Sequence, residues 1–140
     1  MSTLHALREL RSSVEAAAEK RDDTIQALVS AVAKLANQRL PIRTLLDAAG
    51  ISKQTYYLRL ERGRSDHPDV HDLESIAPLR AARNGADREL LQALDARTAG
   101  ISAVAHQFSA REIAEAAGVS EAWVRKIRRR TTASSSPEGS

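Results

Sequence analysis

Apolar residues recur along this chain at spacings of three and four rather than in alternation, which predicts helices and no strands. Leu4, Leu7, Leu10, Val14 and Ala17 make one stripe over residues 3–20. At Arg21-Asp22-Asp23 the helix either ends, with an aspartate capping its successor, or runs on. Over about 24–38, Ile25, Leu28, Val32 and Leu35 continue the pattern. Pro41 suits the opening turn of a short helix at about 42–49, because its missing N–H would be unpaired there anyway. A further helix is expected at about 53–61, then a linker from Gly63 through Ser65-Asp66-His67-Pro68-Asp69. The pattern over 70–83 is a weak helix interrupted by Pro78 and closed near Asn84-Gly85. A clearer helix starts at Asp87, turns Leu90, Leu91 and Leu94 inward and ends at Gly100. Ile101, Val104 and Phe108 keep helical spacing in a segment too short to assign. Helices are then expected at about 110–117 and 121–130. Ser109 and Glu112 form a capping box at the start of the first. The Ser/Thr-rich end, residues 131–140, is expected to be disordered.

Within this pattern one phrase occurs twice. Residues 43–52 read R-T-L-L-D-A-A-G-I-S and residues 111–120 read R-E-I-A-E-A-A-G-V-S, an offset of 68. Each is a short apolar-patterned helix, a small-residue turn with Gly, an aliphatic residue, a Ser, and then a second helix. A helix-turn-helix requires this order. Gly50 and Gly118 suit the left-handed position where a Cβ would clash, and Ala48/Ala49 and Ala116/Ala117 let the helices approach closely. Ile51 and Val119 plug the turn into the core, while Ser52 and Ser120 cap the second helix. Tyr56 and Leu60, and Val124 and Ile127, should anchor those second helices from below.

The expected fold class is therefore all-α, with two small helix-turn-helix units joined by an acidic linker and an extra N-terminal helix. The boundaries read as 1–62, a linker with weak helix at 63–85, 86–130 for the second unit, and a tail at 131–140.

Charge strengthens this picture. The net charge of +3 is mild, but residues 41–65 and 101–130 each carry +3 while 66–75 carry −4. Arg supplies 17 of 21 cationic side chains, which favours forked contacts to phosphate or guanine. Double-stranded DNA is the expected partner. Outward positions at the start of the second helices are Lys53, Gln54, Tyr57 and Leu58, and Glu121, Ala122 and Arg125. Residues placed there reach base edges in a major groove, where Gln suits adenine, Lys or Arg guanine, and Glu cytosine. Ser52 and Ser120 leave helix N–H groups facing the same side. Arg59, Arg62, Lys126, Arg128, Arg129 and Arg130 are placed for phosphates, which position without specifying sequence, and Arg43, Arg64 and Arg111 are further expected DNA contacts.

The segment A-A-G-I-S-K-Q-T-Y-Y-L-R-L (48–60) resembles the recognition segment of TetR-type regulators and the wider homeodomain-like helix-turn-helix group. The resemblance covers about residues 22–61 and implies DNA contacts for Lys53, Thr55 and Tyr57. The chain has no room for that family's ligand-binding domain, so no small-molecule ligand is implied. The second copy, 109–127, is similar to the helix-turn-helix of many bacterial regulators and recombinase tails. Trp123 departs from that pattern, and either fills the interface with the preceding helix or faces a phosphate or the other half of the chain. Arg62-Gly63-Arg64 is similar to the core of a minor-groove hook, although Ser65 stands where a hook has Pro; a helix end with a Gly cap is the alternative.

Other chemistry has little support. With no cysteine there is no disulfide, thiolate metal site or thiol nucleophile. His67 and His71 are four apart with Asp69 and Asp72 near, but Pro68 breaks a regular helix face between them, so no metal and no cofactor is expected. No Gly-rich phosphate loop or hydrolase motif occurs, and no enzymatic activity is expected. No apolar run approaches the roughly 20 residues that span a bilayer. A cytoplasmic, nucleoid-associated protein is the expectation, with residues 3–20 as a candidate homodimer contact. The leading functional reading is a bacterial or phage transcriptional repressor or regulator that reads a bipartite site. Its rivals are an architectural or accessory DNA-binding factor, and a protein-interaction module in which one copy no longer binds DNA.

Overall fold

The computed structural model describes residues 3–61 and 70–135. Among these the chain is all-α, with six helices, one 3-10 turn and no strand. The helices are α1 (Thr3–Ala36), α2 (Ile42–Ala49), α3 (Lys53–Leu60), α4 (Ile76–Val104), α5 (Ala110–Ala117) and α6 (Glu121–Ser135). None is long and apolar enough to cross a membrane. Residues 62–69, which include Arg62, Arg64, the hook sequence and most of the acidic linker, lie outside the described residues, as do 136–140.

Three expected breaks, at Pro78, Asn84-Gly85 and Gly100, are absent, and of the two alternatives at Arg21-Asp22-Asp23 the continuous helix is the one formed, because these residues serve other roles. At Arg21-Asp22-Asp23, α1 runs on. Asp22 pairs with Arg59 and Arg21 with Asp87, so these side chains bind other helices instead of capping a new one. Pro78 does not interrupt α4, since it lies in the first turn, where its missing donor has no intrahelical partner to lose. Gly100 is not a stop but a close approach. A Cβ there would fall 2.6 Å from Leu10 Cδ1 and 3.3 Å from Leu7 Cδ2, so glycine lets α1 and the later part of α4 pack tightly. Asn84-Gly85 is likewise helical, carried through by the burial of Ala86 directly after it. Of the three leucines expected inward on α4, Leu90 and Leu94 are half-buried, but Leu91 is 61% exposed. The side that α4 buries there runs through Ala86, Ile101 and Val104 instead. At the C-terminal end α6 continues to Ser135, so the expected tail is helical over its first five residues.

The chain divides into two compact units that cut across the expected boundaries. One comprises Ala18–Glu89: the later part of α1, then α2, α3 and the first part of α4. Its core contains Leu28, Val32, Leu35, Leu45, Tyr56 and Ile76. Val70 and Ile76 are buried in it, so the region expected to be linker contributes to the core beyond residue 69. The other comprises the chain up to Ala17 with Leu90 onward: the first part of α1, the later part of α4, and α5 and α6. Leu7, Ile101, Ile113, Val124 and Ile127 form its core. The residue 3–20 stripe considered for a homodimer is thus used inside the chain, with Leu7 1% and Val14 9% exposed.

Candidate nucleic-acid interface

The first helix-turn-helix is α2, a tight turn and α3. Gly50 adopts φ 69°, ψ 31°, and its N–H donates to Leu46 and Asp47 carbonyls, ending α2 in a left-handed cap. Ile51 is buried just beyond the turn. Ser52 then accepts from the Thr55 amide at 3.1 Å as the N-cap of α3. Tyr56 is buried and holds α3 down, while Leu60 packs against the same core. Tyr57 meets Tyr56 edge-on, with ring centroids 5.0 Å apart, so its exposed ring has a fixed base.

With the inner face anchored, the outer face of α3 presents Lys53, Gln54, Tyr57 and Leu58, the last two 47% and 59% exposed. Arg43 of α2 joins Ser52 and Lys53 around a shallow cavity of about 370 Å³. Two expected contacts are drawn inward. Thr55 is half-buried and its hydroxyl accepts from Ser52 at 2.9 Å. The Arg59 side chain is 18% exposed and bonded to Asp22, and the Arg59 carbonyl accepts from Gln26. Arg59 ties α3 to α1 and is not displayed with the others.

The second helix-turn-helix repeats this scaffold. Ser109 and Glu112 complete their capping box, and Gly118 adopts φ 73°, ψ 37° with its N–H on the Ala114 carbonyl. Ser120 accepts from the Trp123 amide at 3.1 Å, and Val124 and Ile127 are buried. Its outer face differs. Glu121 pairs with Arg125 at 3.3 Å along α6, while Ala122, Lys126 and Arg129 are exposed. Trp123 is half-buried and packs against the core, with Lys126 Nζ 5.5 Å and Arg130 5.8 Å from its ring centroid. Trp123 thus packs into the core, as the first alternative expected, and its ring also gathers two cations. Arg128 is drawn inward, its guanidinium donating to the Ala105 and Phe108 carbonyls. On α5, Arg111 is exposed and pairs with Glu115 at 3.4 Å.

Arginines outside both helix-turn-helices reach their turns, and the local sequence pattern did not indicate them. Arg80 of α4 donates to the Asp47 and Ala48 carbonyls at 3.4 and 3.3 Å, and Arg83 to the Gly50 carbonyl at 2.7 Å. Arg11 of α1 donates to the Glu115 carbonyl at 3.1 Å. Arg83 also lies 3.6 Å from Asp87, which holds Arg21 as well. Apart from Arg83 with Asp87, four residues on along α4, these partners are far apart in sequence, so no periodicity or spacing rule reveals them.

Ahead of α4, Asp72 and Ser75 form a capping box around the 3-10 turn Leu73–Ser75. The Ser75 hydroxyl and amide hold the Asp72 carboxyl below the ordinary carboxylate range. Of the histidine pair weighed as a metal site, His67 and Asp69 lie outside the described residues. Among the described residues no group of three or more metal-binding side chains converges. The chain matches no family model, no curated protein and no solved structure.

Proposed function

We propose that this chain binds double-stranded DNA in a sequence-dependent way through its two helix-turn-helices, as a small bacterial or phage transcriptional regulator acting at the nucleoid. The observation that carries the reading is the outer face of α3: Lys53, Gln54 and Tyr57 stand exposed on a helix whose inner face is fixed by Tyr56 and whose start is fixed by Ser52. Such a helix can enter a major groove without reorganising. Gln54 would bond adenine, Lys53 guanine, and Tyr57 with Leu58 would supply apolar contact to a thymine methyl. Arg43 would take a phosphate beside them.

The second head supports a different role. Its Glu121 and Arg125 satisfy one another, and the exposed cations outside that pair are Lys126, Arg129 and Arg130 along the later part of α6. That distribution suits phosphate anchoring more than base readout, so the two heads would divide the work. An accessory DNA-binding factor with a partner protein shares this interface; a promoter-reporter assay without effect, beside tight DNA binding, would favour it.

The division is tested with variants in a binding titration across salt. Lys53→Ala with Gln54→Ala should lower affinity for a selected site by about 10–100-fold while barely changing affinity for random duplex. Lys126→Ala with Arg129→Ala should weaken both and flatten the salt dependence by roughly two phosphate contacts. Equal losses on both duplexes from the first pair would refute base reading by α3.

A further inference from the structure

The duplication extends well beyond the helix-turn-helix phrase. Leu4, Leu7, Leu10 and Arg11 reappear as Leu73, Ile76, Leu79 and Arg80, at an offset of 69. Val32, Leu35 and Ala36 reappear as Ile101, Val104 and Ala105 at the same offset. The offset becomes 68 at Leu45 and Ile113, one residue having been gained in the loop where Arg39 takes a left-handed φ of 67°. The described helices thus form two three-helix repeats, α1–α3 and α4–α6.

The compact units do not coincide with these repeats. Leu7 of the first repeat is buried in the core around α5 and α6, and Ile76 of the second in the core around α2 and α3. The matched arginines follow them. Within one unit Arg80 lies over the Gly50 turn, its Nε 2.9 Å from where a Cβ would stand, and donates to the Asp47 carbonyl. Within the other, Arg11 lies over the Gly118 turn, its Nε 2.8 Å from the corresponding point, and donates to the Glu115 carbonyl. Asp47 and Glu115 are themselves a repeat pair, 68 apart.

We infer that each helix-turn-helix is completed in a crossed manner by the opposite repeat, with Arg80 and Arg11 as equivalent positioning residues that clamp the turn ahead of each second helix. The physical basis is the same twice. The last carbonyls of α2 and α5 lack donors within the helix, Asp47 having only the long bond from the Gly50 cap, and a left-handed glycine leaves space above the turn. A guanidinium fills that space, supplies the donor and places positive charge at the negative end of the helix. Fixing the turn fixes the angle at which α3 or α6 leaves it.

The test is amide hydrogen exchange on the full chain. Arg80→Ala should speed exchange at Gly50 and Ile51 roughly three- to tenfold and leave Gly118 and Val119 unchanged. Arg11→Ala should do the reverse, although Arg11 lies in the same repeat as Gly50. Both side chains are exposed, so no core is disturbed. Arg80→Lys and Arg11→Lys, which keep a cation at the helix end, should recover part of the protection in the same crossed pattern. If an Ala variant fails to fold, its Lys partner is compared with the wild type, with a smaller crossed loss expected. Either variant loosening the turn of its own repeat, or neither changing exchange by as much as twofold, would overturn the inference. No DNA enters the measurement, so its outcome is separate from that of the proposed function.

Discussion

Arg128 separates two views of the basic helix α6. As a phosphate contact it would contribute to DNA affinity and nothing to folding. In the structure its guanidinium donates to the carbonyls of Ala105 and Phe108, tying α6 to the segment between α4 and α5. A charge-assisted bond to a carbonyl contributes about 1.5–3 kcal/mol. Both bonds are only partly buried, and water can replace the donor at each carbonyl, so each falls below that range at about 1 kcal/mol and the pair together is worth about 2 kcal/mol. With a urea slope of about 1–3 kcal/mol per molar, Arg128→Ala should lower the denaturation midpoint by about 1 M. The salt dependence of DNA binding should keep its slope, whereas loss of a phosphate contact would reduce it by about 0.9. An unchanged midpoint together with a reduced slope would refute the structural role and restore Arg128 to the phosphate set. Arg129→Ala is the control, since that exposed neighbour should show the opposite pair of results.

Two glycines within α4 should respond with opposite signs. Gly85→Ala places a methyl in nearly open space, 4.0 Å from an Arg88 nitrogen, and should stabilise by about 0.5–1 kcal/mol through helix propensity. Gly100→Ala should destabilise by about 1–3 kcal/mol, because its methyl meets Leu10; thermal melts of the two variants check both signs. The Asp72 cap should depend on pH. Its carboxyl is held below the ordinary range in the folded chain by Ser75, so the cap's contribution is present above that range and fades as pH falls through the lowered value. Exchange at the Ser75 amide, followed from neutral pH into acid, should show this loss, and Asp72→Asn should remove its pH dependence.

The parts of the fold legible in the sequence are those whose cause is local. The left-handed glycines at 50 and 118, the Ser52, Ser109 and Ser120 caps, and the inward Tyr56, Val124 and Ile127 each follow from spacing of a few residues. What was illegible depends on distant partners. Arg21 and Asp22 look like a helix end until Asp87 and Arg59 are seen beside them. Gly100 looks like a stop until Leu10 is found above it. Arg59 and Arg128 look like members of a basic face, and it takes the folded chain to turn them inward. The longer repeat was hidden for another reason. Core packing constrains size more than identity, so Leu7 and Ile76 occupy equivalent places without sharing a residue type.

Selection of bound sequences from a random duplex library, run with the intact chain, tests DNA reading most directly. The prediction is an enriched site with a block that Lys53→Ala and Gln54→Ala together erase, while Glu121→Ala leaves it in place. A library that emerges unenriched, or a site indifferent to residues 53 and 54, would contradict the claim that α3 reads DNA.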